Sequence, residues 1–247
     1  MLYKYANSIW FVLMRISKAP AALGLIPDGN RRWARGHSLS FFNGYRTGVE
    51  KFIDFADWCK DYGVGNITVW AFSTENFRRP SPERNALFGI YKKVAADKEI
   101  LERLHENKTR FNVVGEKAML PRDLRAALKK VEIETGAYKD RVINMLIAYG
   151  GKDDILHAAK MLVRDAVTRG VRNVNETLFR SYMISRSVPD MDLVIRTSGE
   201  ERLSGFMPWQ SGYSELYFSK KLWPDFTRKD LERALSEYER RQRRFGV

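Results

Sequence analysis

Five consecutive residues, Asp28-Gly29-Asn30-Arg31-Arg32, put a carboxylate, a glycine, an amide and two guanidinium groups straight after the apolar segment Ala21-Ala22-Leu23-Gly24-Leu25-Ile26-Pro27. That segment reads as a short strand. A strand end followed by a tight turn and a helix start is where α/β proteins hold ligands. Gly29 lets the backbone approach a ligand, and the first free N–H groups of the next helix favour an anion. Arg31 and Arg32 add planar donors matched to phosphate. Asp28 would repel a phosphate unless a cation lay between them, and a hard, oxygen-seeking ion such as Mg2+ resolves the conflict. The local chemistry is that of a metal-bridged diphosphate; for these five residues alone, a solvated turn is the alternative.

Such a turn needs a scaffold. Strand candidates are Leu23–Ile26, Asn66–Phe72, Arg110–Val114, Val142–Ala148, Asp192–Ile195 and Glu215–Phe218, several rich in β-branched residues and too short for helices. Helical spacing runs between them. Val49, Phe52, Ile53, Ala56 and Cys59 form one stripe; Leu87, Ile90, Tyr91, Val94 and Leu101 form another, on a helix opened by Pro82. Leu124, Leu128 and Val131 follow Pro121, and Thr227-x-x-Asp230 reads as a capping box before the last helix. The alternation predicts an α/β fold: a mainly parallel six-stranded sheet flanked by helices, in one domain over residues 21–247. In a parallel sheet the strand ends lie on one edge. Asp28–Arg32, Ser73–Pro80, Tyr149-Gly150-Gly151 and Arg196–Glu200 therefore converge on one cleft.

Composition bounds the readings. The 247 residues carry 43 Lys and Arg against 30 acids, a net charge of +13, which points to anionic partners without choosing among nucleic acid, anionic membrane and phosphorylated small molecules. One cysteine, Cys59, excludes an internal disulfide framework and fits a reducing, cytoplasmic setting; among Phe52, Phe55, Ala56 and Trp58 it reads as a buried small hydrophobe. The three histidines lack zinc-ligand spacing, and neither a P-loop, a Rossmann fingerprint nor a nucleophile elbow is present. The apolar run Ile9–Met14 is too short to span a bilayer. Residues 1–20 suit an amphipathic helix lying on a membrane, a cover over an apolar mouth, or a helix packed on the domain.

In this ordered set the chain resembles the cis-prenyltransferases, which make undecaprenyl, dehydrodolichyl and shorter Z-polyprenyl diphosphates. The resemblance runs from Leu23 to Val247. It rests on Asp28–Ala34, Ala71–Pro80, Tyr149–Gly151, Asp192–Glu200, Arg202-Leu203-Ser204, Trp209-Gln210, Glu215–Phe218, Trp223–Phe226 and Arg244-Phe245-Gly246. It implies a Mg2+-dependent transferase that joins isopentenyl diphosphate to an allylic prenyl diphosphate, forms a cis double bond and releases pyrophosphate. By this resemblance Asp28 is a metal ligand, and Glu215 a second carboxylate for the metal, from near a subunit boundary. Gly29, Asn30, Arg31, Arg32, Trp33, Phe77 and Arg79 match the allylic diphosphate site. Arg196, Arg202 and Ser204 match the isopentenyl diphosphate site. Arg244 and Gly246 match a C-terminal element that completes the neighbouring subunit's site. Asn76 and Ser73 match residues that orient the reacting groups and assist removal of a C2 proton; the acceptor is a substrate phosphate oxygen or Asp28. The resemblance also implies a homodimer, with no role for nucleic acid.

Several positions depart from the family pattern, Gly205 and Pro208 in the loop after Arg202 among them. A Gly-His-x-x-Gly element reads Gly44-Tyr45-Arg46-Thr47-Gly48 here, and Phe41 stands where an arginine is common. An apolar tunnel between sheet and helices would set product length, with the helix after Pro82 and Met145-Leu146-Ile147 as walls. Tyr91, Lys92 and Lys93 would close it early, giving a short-to-medium product. The alternative function is a non-catalytic scaffold subunit of a heteromeric enzyme, and retained Asp28, Asn76 and Arg79 argue against it.

Overall fold

The computed structural model describes residues 19–241. The expected N-terminal helix up to residue 18, and the roles given to Arg244 and Gly246, lie outside the described residues. Six strands form one parallel sheet: β1 (Ala22–Ile26), β2 (Asn66–Ser73), β3 (Thr109–Val114), β4 (Arg141–Tyr149), β5 (Leu193–Arg196) and β6 (Glu215–Phe218), in the order β3-β4-β2-β1-β5-β6. The helices are α1 (Asn30–Gly36), α2 (Phe41–Asp61), α3 (Ser81–Ala95), α4 (Lys98–Glu106), α5 (Arg122–Glu134), α6 (Gly151–Arg169), α7 (Glu176–Ser181) and α8 (Arg228–Arg240). The expected strands are all present, their bounds shifted by at most one residue.

The order of the strands places the ligand site. After β1 the chain adds β2 beside it, then β3 at the far edge and β4 in the gap between them, and finally crosses to add β5 and β6 on the other side of β1. Adjacent strands whose connections leave in opposite directions open a crevice at their carboxyl ends. Ile26, the last residue of β1, is paired with Arg196, the last of β5. Asp28 therefore emerges beside Arg196.

One face of the sheet carries Val69, Ile143 and Met145 toward α2, α3, α4 and α5. The period of two turns Leu146 to the opposite face, where it packs with Tyr149, Val194 and Phe206. Leu146 is thus not a tunnel wall; Ile143 and Met145 are. The stripe from Leu87 to Leu101 is not one helix. Asp97 caps a new one, its carboxylate accepting from the N–H groups of Glu99 (3.0 Å) and Ile100 (3.3 Å). A competent N-cap outweighs continuation of the apolar periodicity. Lys92 turns outward to Asp123 at 2.6 Å, so it does not narrow the interior. Cys59 is fully buried against Phe55 and Trp223, and burial pushes its thiol up.

Candidate active site

The turn after β1 is built before any ligand arrives. Gly29 has φ 109°, and a Cβ there would meet Leu222 at 2.9 Å, so this αL step before α1 requires glycine. The Asp28 carbonyl accepts from the Thr197 hydroxyl at 2.7 Å and the Trp223 N–H at 3.0 Å. Both bonds hold the carboxylate at the crevice. Asn30 donates to the Pro27 carbonyl at 3.0 Å, and its amide lies where a side chain on Gly48 would go. After β2, the Ser73 hydroxyl accepts from the Asn76 N–H (3.3 Å) and the Asn76 side-chain oxygen accepts from the Ser73 N–H (3.1 Å). This reciprocal box fixes the turn that presents Ser73, Asn76 and Arg79.

Arg196 is 5% exposed. Its guanidinium donates to the Asp28 carboxylate at 3.0 Å, to the Ser204 hydroxyl at 2.9 Å and to the Arg202 carbonyl. Arg32 lies 3.7 Å from Asp28 and 3.4 Å from Glu200. Burial would raise the Asp28 carboxyl, but the hydrogen bond and charge of Arg196, with the charge of Arg32, outweigh it and hold it below the ordinary carboxylate value. Asp28 is therefore ionised at neutral pH. Among the buried polar atoms without a partner are the Asn30 side-chain oxygen and Arg196 Nε. Buried polar atoms are normally satisfied, so both mark a place for a ligand or water.

A cavity of about 730 Å³ opens at this point. Its mouth is lined by Asp28, Gly29, Asn30, Arg31, Arg32, Ser73, Asn76, Arg79, Arg196 and Ser204. Its interior is mainly apolar, with Val49, Phe52, Ile53 and Ala56 of α2, Leu87, Tyr91 and Val94 of α3, Leu101 of α4, Leu128 and Val131 of α5, and Ile143 and Met145 of β4; Asp57, Asp97, Arg103 and Asn107 add polar groups to its wall. It runs back to Thr109 and Arg141, at the starts of β3 and β4. By strand rise, Arg141 to Tyr149 is about 26 Å, so the cavity follows the sheet from one edge to the other.

Not every residue picked from the sequence reaches the cavity. The Trp33 indole N–H donates to Asp225 at 2.8 Å and its ring packs on His37, because α1 turns it to the outer surface. Phe77 stands edge-on to Phe72 at 5.0 Å in an aromatic cluster with Phe88. Arg202 extends outward to Glu200 at 2.5 Å, and only its carbonyl serves the site. Glu215 opens β6 at the amino edge of the sheet, three residues or about 10 Å upstream of the level of Arg196. Its carboxylate takes Arg241 at 2.9 Å. One chain thus does not bring Glu215 and Asp28 to a common ion. Gly150 and Gly151 give room at Thr74, Asp153, Gly205 and Pro208 and do not line the cavity. Tyr45, by contrast, does line it. Its hydroxyl accepts from Arg79 at 2.7 Å and donates to Glu83 at 2.6 Å. Phe41 is 40% exposed and edge-on to Tyr45 at 6.5 Å.

Sequence reasoning passed over Glu83 and Arg141. Glu83 is signalled only as an acid in the first turn of a helix, a common surface pattern. Arg141 precedes an apolar strand, where a charge ordinarily marks the turn.

Comparison with known proteins follows the same line. Residues 26–246 match the Prenyltransf family, described by undecaprenyl diphosphate synthase. The chain is 43% identical over 229 residues to the tritrans,polycis-undecaprenyl-diphosphate synthase (geranylgeranyl-diphosphate specific) of Picrophilus torridus, covering 92% of this chain and 90% of the relative. It is 39% identical over 233 residues to the isoprenyl transferase of Clostridium tetani, covering 94% and 91%. Among solved structures, lavandulyl diphosphate synthase from Lavandula x intermedia in complex with dimethylallyl diphosphate superposes with a TM-score of 0.88 at 32% identity, covering 93% of this chain and 99% of that one. With this sheet order, this cleft and these relatives, the chain belongs to the undecaprenyl diphosphate synthase family of cis-prenyltransferases.

Proposed function

We propose that the chain condenses isopentenyl diphosphate with an allylic prenyl diphosphate, forming a cis double bond and releasing pyrophosphate. One observation carries this reading: a ring of guanidinium groups around an ionised carboxylate opens onto a mainly apolar cavity that runs the length of the sheet. Charged heads belong at such a mouth and a growing hydrocarbon belongs in such an interior, where burial stabilises each methylene by about 0.8 kcal/mol.

In this reading Arg31, Arg32 and Arg79, with Gly29 and Asn30, hold the allylic diphosphate. Arg196 and Ser204 hold the isopentenyl diphosphate. As the allylic C–O bond breaks, negative charge grows on the leaving group, and preplaced guanidinium groups lower that barrier. Asn76 and Ser73 orient the acceptor at the end of β2. The protein side of a metal site fits Mg2+. Asp28 supplies one ionised carboxylate at the mouth, and no group of three metal-ligating side chains exists among the described residues. Mg2+ suits that arrangement, taking one or two carboxylates and completing its shell with phosphate oxygens and water. When bound, it would neutralise charge on the departing diphosphate. Glu215 and the C-terminal Arg244 and Gly246 belong in this reading to a homodimer, serving a site across the subunit boundary.

The Picrophilus torridus relative, described as geranylgeranyl-diphosphate specific, supports that primer. The finite cavity supports a product of short to medium length. At its far end lies Arg141, half-buried. Its guanidinium donates to the Ala56 carbonyl at 3.0 Å, its Nε is buried without a partner, and burial pulls its pKa below the ordinary value. An apolar chain terminus gains nothing by pressing on such a group. No helix among the described residues is long and apolar enough to cross a membrane. A cytoplasmic enzyme whose N-terminal stretch touches the membrane surface fits a substrate of this kind. The test is incorporation of labelled isopentenyl diphosphate by the purified chain with Mg2+ and a panel of allylic primers. Turnover with a geranylgeranyl primer is expected; no turnover with any primer would favour the scaffold role.

A further inference from the structure

A carboxylate with no part in the chemistry above lies behind the diphosphate mouth. Glu83, in the first turn of α3, is 7% exposed and is not among the cavity-lining residues. Its Oε1 accepts the Tyr45 hydroxyl at 2.6 Å and lies 3.4 Å from Arg79 and 3.7 Å from Arg31. The same hydroxyl accepts from Arg79 at 2.7 Å, and the Arg79 guanidinium lies 5.9 Å from the Tyr45 ring centre. Burial holds the Tyr45 phenol far above its ordinary value against the opposing charge of Arg79, so it stays a protonated donor.

A buried carboxylate is costly unless paired, and removing a partner leaves an uncompensated charge. Here the partners come from three separate elements: Arg31 from α1, Tyr45 from α2, and Arg79 from the turn after β2. Long arginine side chains carry much rotamer freedom, and a site that needs them aimed must restrict that freedom beforehand. We infer that Glu83 is a positioning residue for the allylic diphosphate: linked through Tyr45, it aims Arg31 and Arg79 into the mouth. This deepens the proposed function and rests on its assignment of those two arginines to the primer. It also gives the tyrosine at position 45 a task that its hydroxyl alone performs.

Two variants keep net charge and test aim rather than field: Glu83→Asp, which shortens the reach, and Tyr45→Phe, which removes the link. Steady-state kinetics would vary the allylic primer and isopentenyl diphosphate separately. Each change should raise KM for the primer roughly tenfold, the scale of one charge-assisted hydrogen bond. KM for isopentenyl diphosphate, held at Arg196, should stay within about twofold. Because both residues act in one chain of contacts, the double variant should be no worse than the worse single one. Equal shifts in both KM values, or effects that multiply, would overturn the inference. Should the wild-type chain itself not turn over, the functional proposal fails instead, and calorimetric binding of inorganic pyrophosphate becomes the measure. Glu83→Asp should then weaken that binding roughly tenfold, and unchanged binding would overturn the positioning role.

Discussion

Arg196→Lys is the sharpest perturbation of the site, because it keeps the charge and removes the fork. Arg196 makes three hydrogen bonds from two terminal nitrogens, to Asp28, Ser204 and the Arg202 carbonyl, while its Nε stays buried and free. In the proposed function the guanidinium's remaining terminal N–H faces the isopentenyl diphosphate. A lysine ammonium is a point donor on a flexible stem, and at 5% exposure water has little access to replace the lost contacts. Placed to satisfy Asp28, it leaves Ser204 and the carbonyl unmet and offers the ligand no second donor. Hydrogen bonds to charged groups contribute about 1.5–3 kcal/mol each, so losing one toward phosphate costs roughly 10- to 150-fold in affinity. The assay is incorporation of labelled isopentenyl diphosphate at saturating primer, then the reverse. KM for isopentenyl diphosphate should rise by that factor, while KM for the primer, held by Arg31 and Arg79, stays within about twofold. A variant with unchanged KM for isopentenyl diphosphate, or one in which both KM values rise together, would refute the division of the mouth between the two diphosphates.

Asp28→Ala should lower kcat by about 10²–10³-fold with a much smaller change in primer binding, since its charge acts as the leaving group departs; equal losses in both would remove the metal role. Chelation of Mg2+ should stop the wild-type enzyme reversibly, and activity that survives chelation would contradict a metal at Asp28. Because the Asp28 carboxyl lies below its ordinary value, its pairing with Arg196 contributes stability that is full above about pH 3.9 and is lost as pH falls through the lower folded value. The stability difference between wild type and Asp28→Asn should therefore be flat from about pH 7 to 5 and fade only in stronger acid; fading near neutrality would show a different group at work. Arg141→Leu should shift the product distribution to longer chains with the first condensation unchanged, as read by chromatography of dephosphorylated products. An unaltered distribution would show that the cavity does not end at Arg141.

Much of the scaffold was legible because strands announce themselves locally. Runs such as Ile67-Thr68-Val69-Trp70 and Val142-Ile143-Asn144-Met145 are β-rich and bounded by turns. The break at Asp97 was less legible, since the apolar spacing continues to Leu101 and only the capping carboxylate signals the new helix. Trp33 and Phe77 look like site residues because they sit inside site segments. Which way a helix of seven residues or a tight turn points them depends on the elements they pack against, Asp225 far along the chain for one and Phe88 on the following helix for the other.

From the sequence by itself came the residue types and their order: an α/β chain, strand ends bearing a carboxylate and guanidinium groups, and an excess of positive charge suited to anionic substrates. These are properties of short segments, and short segments carry them without help. Only the tertiary structure decided that Asp28 and Arg196, 168 positions apart, meet at 3.0 Å, because strand order is a matter of pairing between remote segments. It also decided that Glu83 is buried behind Arg31 and Arg79, that Arg141 stands at the end of the cavity, and that Glu215 lies at the opposite edge from Asp28. Burial and adjacency are set by what the chain folds against, and no local pattern records them.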